Sequence, residues 1–220
     1  MANATVNLSG NLFPGAQCIF FCRLAVWRDL GYLWYGLTDS QSVKSVAGGS
    51  MDHAPQTGIN ELAGRLAGAL KEAGLWCATA ESCTGGLIAA ACTDLPGSSA
   101  WFKGGVVAYA NSAKEGLLDV DPRHIATHGA VSREVVEAMA RGAQRALEVE
   151  CVMAVSGIAG PDGGTREKPV GLVWLCVAAG EQLAARECVF SGDRAAVRLS
   201  AVRAALAALL ELLAERKACL

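Results

Sequence analysis

The sequence has little net charge and few of the motifs that announce specialised chemistry. Its 220 residues carry 19 basic and 21 acidic side chains, for a formal charge of -2. That balance excludes a nucleic-acid binder that relies on bulk attraction to phosphate. Runs of about 18 apolar residues are absent, so no transmembrane span is expected. The hydrophobic fraction of 52% is rich in alanine and reads as helix rather than membrane. Histidine occurs three times, and the one close pair, His124 and His128, has no third ligand nearby; no metal site is expected. Nine cysteines contain no CxxC pair. Cys77, Cys83, Cys92, Cys151 and Cys176 lie inside apolar runs, where a thiol behaves as a small hydrophobe. This usage fits a reducing cytoplasm better than a disulfide framework. The P-loop pattern GxxxxGK[ST], the dinucleotide pattern GxGxxG and the GxSxG elbow are all missing, and no internal repeat is visible.

What is present divides at residue 50. Residues 1–50 hold seven of the 13 aromatics (five Phe, five Trp and three Tyr in all) but only five of the 40 charged side chains. CIFFCRLAVW has no basic region before it and Arg23 within it, unlike a signal peptide. AGGS at 47–50 has linker composition, and Met51 opens a stretch that reads as a fresh N-terminus. The expectation is an atypical leader, 1–50, outside the core fold, with the domain at 51–220; a family-specific extension packed on the domain is the alternative.

From residue 58 the pattern is regular. Leu62, Leu66 and Leu70 recur every fourth position, with Asn60 able to cap the start and Gly74 ending an amphipathic helix. LWCATAE reads as a buried strand followed by a helix from Thr84 to Asp94, and GGVVAYA (104–110) as a second strand. Asn111 or Ser112 is expected to cap a short helix through Leu118. Ser132 is expected to cap a longer one to Leu147, with Glu134 in its positive first turn. CVMAVS (151–156) and GLVWLCVA (171–178) read as strands, and LAARECVF completes a hairpin after Gly180-Glu181. Residues 193–215 form a closing helix. Alternating strands and helices plus one hairpin predict an α/β fold, a mixed, mostly parallel sheet with helices on both faces.

Three loops follow strand ends, where open α/β sheets build their ligand crevices. The first, TAESCTGG, offers Ser82, Cys83 and Thr84 as nucleophiles. Ser82 or Thr84 can be a plain helix cap, whereas Gly85 and Gly86 suit close backbone approach by an anion. Lys114 in the second loop, AYANSAK, sits in a helix's first turn, where a cation is unfavourable. It is either solvated or, if out of water, lowered in pKa as a base requires. Tyr109, the one tyrosine after residue 50, can orient a proton or stack. SGIAGPDGGTREKPVG, the third loop, is rich in turn residues; its length points to a functional lid, its composition to a solvated turn. A dyad of Cys83 with His124 or His128 is a weaker scheme.

AESCTGG, PGSSAWFKGGVVAYANSAK, HGAVS, SGIAGPDGG, EKPVG and FSGDR, in that order and spacing, resemble the C-terminal domain of the CinA family, over residues 58–215. They are similar in particular to the family's stand-alone nicotinamide mononucleotide (NMN) deamidases. The resemblance implies a three-layer α/β/α sandwich and hydrolysis of the NMN carboxamide to nicotinate mononucleotide and ammonia, without a cofactor. It places the family's catalytic serine on Ser82, lysine on Lys114 and tyrosine on Tyr109, with Cys83 as packing. Candidates to hold the substrate are Thr84, Gly85, Gly86, Asn111, Ser156, Gly160, Gly163, Gly164 and Arg194 or Arg198. The expected partner is this small molecule, with no nucleic acid or membrane, in a cytoplasmic homo-oligomer. A non-catalytic nucleotide-binding module, or an amidase for a related pyridine nucleotide, is the competing expectation.

Overall fold

The computed structural model of the protein describes residues 54–218. The expected leader 1–50 and the boundary at Met51 lie outside the described residues. Six α-helices and five strands follow in the order α1 (Ala54–Ala73), β1 (Cys77–Glu81), α2 (Leu87–Thr93), β2 (Phe102–Val107), α3 (Asn111–Leu118), α4 (Pro122–His128), α5 (Arg133–Leu147), β3 (Cys151–Gly157), β4 (Leu172–Ala179), β5 (Gln182–Val189) and α6 (Arg194–Ala218).

The strands form one sheet in the order β2-β1-β3-β4-β5. β1 pairs in parallel with β2 and with β3, while β3–β4 and β4–β5 are antiparallel. Four of the five strands therefore run the same way, and the mixed, mostly parallel sheet expected from the sequence is present. β1 is buried along its whole length, as a central strand covered on both faces must be. One cluster, including Leu66, Leu70, Ile88, Trp101, Met153, Leu175, Leu206 and Leu209, lies between the sheet and α1, α2 and α6. The other, including Leu118, Val135, Val136, Met139 and Val152, lies under α5 and its neighbours α3 and α4. Each fully buried leucine or valine contributes about 1.5–3 kcal/mol over its exposed state. Five cysteines expected inside, Cys77, Cys83, Cys92, Cys151 and Cys176, are buried.

Local signals held at some ends and moved at others. Ser132 caps α5, its Oγ accepting from Val135 N at 3.4 Å, as its sequence position suggested. Asn60 does not begin α1, which starts at Ala54. Ala110, in extended backbone, is the N-cap of α3, so Asn111 is its first helical residue rather than its cap. α2 starts at Leu87, three residues after Thr84, because Gly85 and Gly86 take left-handed backbone with φ 61° and 96°. A side chain is strained there, which is why glycine fills the turn. A second glycine, Gly142 on α5, permits close packing: a Cβ would lie 1.9 Å from the Leu118 carbonyl oxygen.

This topology fixes where a ligand site can form. β1, β2 and β3 are parallel neighbours around β1, so the loops after all three emerge at one edge of the sheet. The chain leaves β1 toward α2 on one face and leaves β2 toward α3 and α5 on the other. That reversal between adjacent parallel strands opens a crevice at their carboxyl ends.

Candidate active site

The crevice is built first by the turn after β1. Ser82 N donates to Val155 O at 2.9 Å, tying the start of the turn to β3, and Gly85 N donates back to Ser82 O at 3.1 Å. Ser82 is 7% exposed. Neither Ser82 nor Thr84 caps α2. That role falls to Glu81, whose carboxylate accepts from Gly86 N and Ile88 N at 2.9 and 3.1 Å and from Ala89 N at 2.8 Å. The backbone around Gly85 and Gly86, expected to meet an anion, thus already has acceptors. Cys83 packs inward in the α2 and α6 core, and burial pushes its thiol up to about 11, the protonated and unreactive form. His124 and His128 face each other on α4, and among the described residues no hydrogen bond or ion pair joins either side chain to Cys83.

The second loop delivers a buried lysine. Lys114 lies one turn into α3 and is 1% exposed. Its Nζ lies 3.2 Å from Ser82 Oγ and 3.1 Å from both the Ala108 and Tyr109 carbonyl oxygens. Among the described residues no carboxylate pairs with it. Burial without a counter-ion disfavours the ammonium, and the Lys114 pKa falls below its ordinary 10.5, against a smaller upward pull from Cys83. The fully solvated reading of Lys114 is therefore excluded. A neutral amine has two hydrogens and one lone pair. Donating to the two carbonyls leaves the lone pair for the Ser82 hydroxyl proton.

The remaining candidates line or brace the crevice. Tyr109 is 61% exposed, and its hydroxyl accepts from Arg194 Nη2 at 3.2 Å. Arg194, at the start of α6, also donates through Nη1 to Gly160 O at 2.9 Å, joining the second and third loops. Asn111 is exposed at the start of α3. Ser156 is 1% exposed and donates to Ala130 O at 2.7 Å, bracing the end of β3 against the segment before α5. Gly163 and Gly164 are exposed on the third loop, which Ile158 and Gly171 close at its base by N–H donation from Gly171 to Ile158 O at 2.8 Å. Lys168 straps that loop to the 128–131 segment, donating to His128 O and, at 2.7 Å, to Val131 O. Arg198, the alternative to Arg194 among the substrate candidates, holds the Ser82 turn from outside, with Nε 3.1 Å from Cys83 O and Nη2 2.8 Å from Thr84 O. Glu81 escaped the sequence reading altogether. The signal was there, an acid at a strand end followed by two glycines and a helix. Another groove, about 690 Å³, opens between α1 and α6 beside Leu62, Leu210 and Leu213, but it brings no nucleophile and base together.

Comparison with known proteins converges on one group. The family described as CinA C-terminal domain matches residues 59–213. The chain is 52% identical to the nicotinamide-nucleotide amidohydrolase PncC of Enterobacter agglomerans over 145 residues, 65% of this chain and 88% of that one. It is 50% identical to the protein of the same name from Escherichia coli K12, over 67% of this chain and 90% of that one. Its fold superposes on the crystal structure of the competence/damage inducible protein CihA from Agrobacterium tumefaciens with a TM-score of 0.69 and 44% identity, covering 70% of this chain and 95% of the other.

Proposed function

The chain belongs to the CinA C-terminal domain family, and from that premise we propose that it is a nicotinamide-nucleotide amidase using Ser82 as nucleophile and Lys114 as base. Two kinds of support meet in this reading. Relatives at about 50% identity carry the amidohydrolase name. The observation that carries the mechanism is the buried Lys114 Nζ 3.2 Å from Ser82 Oγ, with no carboxylate paired to it among the described residues.

In this scheme Ser82 Oγ attacks the carboxamide carbon of NMN while its proton passes to Lys114 Nζ. The developing oxyanion needs N–H donors. Between Ser82 and Ala90 the described hydrogen bonds give every backbone N–H an oxygen acceptor except those of Cys83 and Thr84, which have only the weakly accepting Cys83 sulfur. These two are the donors assigned to the oxyanion, one of them on the residue directly after the nucleophile. The intermediate collapses, the C–N bond breaks, and Lys114 returns the proton to the departing nitrogen as ammonia. Water then attacks the nicotinoyl ester on Ser82, giving its proton to Lys114, which passes it back to Ser82 Oγ as nicotinate mononucleotide leaves. Tyr109 and Arg194 line the mouth, with Arg194 the cation available to the substrate phosphate. The reaction needs no cofactor in this scheme.

An ammonia-release assay with NMN, NAD and nicotinamide side by side tests the proposal. Ammonia from NMN, abolished in Ser82→Ala, is the expected result. Binding of NMN without any release would favour the non-catalytic module, and preference for another pyridine nucleotide would move the substrate within the amidase class.

A further inference from the structure

Glu81 is the last residue of β1, fully buried, and directly precedes Ser82. A charge removed from water persists only when it is paired or thoroughly hydrogen-bonded. Among the described residues no lysine or arginine bonds this carboxylate; its three bonds all come from backbone N–H groups of Gly86, Ile88 and Ala89. The chain thus leaves residue 81 through the Ser82 turn and returns to the side chain of the same residue, closing a ring. Gly85 and Gly86 supply the left-handed backbone that the return needs, and Arg198 holds the outside of the ring at the Cys83 and Thr84 carbonyls. Ser82 is the first residue on that ring.

Resting on the amidase reading, we infer that Glu81 is a positioning residue of the reaction. Its carboxylate shuts the Ser82–Gly86 turn, sets Ser82 Oγ against Lys114 and leaves the Cys83 and Thr84 N–H groups as the donors for the oxyanion. It also fills the N-terminal end of α2 with the protein's own negative charge. The substrate phosphate is thereby excluded from the place where two glycines and a helix start would otherwise invite it. Loss of Glu81 should consequently appear in kcat and not in KM.

Glu81→Gln in the full chain tests this. The amide keeps one accepting oxygen and turns an NH2 against at least one backbone N–H, so the ring loosens with little change in volume. A displacement of 1 Å at a reacting group costs about a hundredfold; the expected result is a kcat for NMN lowered about tenfold to a hundredfold, with KM within about threefold. Glu81→Asp, which keeps the charge but is one methylene shorter, should fall between Gln and wild type. A Gln variant with kcat within about twofold of wild type, or a loss confined to KM, overturns the inference. Should Glu81→Gln fail to fold, Glu81→Ala titrated with formate replaces it; saturable recovery of kcat is expected, and a folded Ala variant that formate never restores is the contrary result.

A sulfonyl fluoride reads Ser82 without NMN, since Oγ bonds to sulfur, fluoride leaves and the serine proton goes to Lys114. Its labelling rate at Ser82 should fall in Glu81→Gln in step with kcat. Wild-type protein labelled at Ser82 in a Glu81-dependent way, yet releasing no ammonia from NMN, would overturn the amidase reading and keep this one. Turnover and labelling both indifferent to Glu81→Gln would overturn this one alone.

Discussion

Lys114→Met isolates the proposed base. Methionine keeps the length of the stem and removes the nitrogen, so Ser82 Oγ loses the group 3.2 Å away that takes its proton. General-base catalysis contributes about 10²–10⁴-fold, so kcat should fall about a thousandfold, or about 4 kcal/mol of transition-state stabilisation. The same change leaves the Ala108 and Tyr109 carbonyls, each 3.1 Å from Nζ, without their donor. Each buried group so stranded costs about 1–3 kcal/mol of stability, offset in part because methionine has no ammonium to desolvate. Turnover is therefore measured well below the melting temperature of the variant. The double variant with Ser82→Ala should be little worse than either single, because serine and lysine act as a unit. A pH series supplies the sign. The active base is the neutral amine, so kcat/KM should rise with pH, with a midpoint below the ordinary 10.5 of lysine. Folding follows the same titration. Between the lowered folded pKa and 10.5 the unfolded chain binds the proton that the folded chain rejects, so stability rises with pH through that window and the rise is absent in Lys114→Met. Retention of kcat within tenfold in Lys114→Met, or the same rising limb in wild type and variant, would refute the assignment.

Ser82→Ala should lower kcat about a thousandfold while NMN still binds, and Cys83→Ser, at a thiol held near 11 inside the core, should cost stability more than turnover; the opposite pattern would make the thiol the nucleophile. Arg194→Ala should raise KM for NMN by about 1.5–3 kcal/mol of lost charged hydrogen bonding and have little effect on nicotinamide riboside, and equal losses on both substrates would show that Arg194 does not hold the phosphate. A chain beginning at Met51 should keep the ammonia-release rate and a melting temperature within a few degrees of the full chain, because it retains the described five-stranded sheet and both described core layers; a large loss in either would make residues 1–50 part of the working protein.

The layers and most elements were legible because they are written in local patterns. Every fourth-position leucines announced α1, unbroken apolar runs announced β1 and β3, and a Gly-Glu turn between apolar runs announced the β4–β5 hairpin. The rule that loops after parallel strands meet at one edge brought the loops of Ser82 and Lys114 together, whereas the pairing of these two residues, 32 apart, came from the resemblance to the CinA family. Element ends were less legible. A glycine pair reads equally as a helix start or as a turn before it, and only the left-handed backbone at Gly85 and Gly86 decides for the turn.

What escaped the sequence is the support around the nucleophile, and the reason is physical. A glutamate in a string of letters reads as a solvated charge, since isolated acids are almost never fully buried. Glu81 is buried because the turn it stands beside bends back and offers it three N–H groups, a property of the folded path rather than of the residue. Arg198 reaches the Ser82 turn from 114 and 115 positions away, a distance that no periodicity encodes. Lys114 shows the converse. Its letter in a helix's first turn raised the question of purpose, but burial without a counter-ion answers it. A lysine in that environment destabilises the fold whenever it must hold a proton, and the same lost solvation makes it a base. The element that weakens the crevice is the one that gives it chemistry.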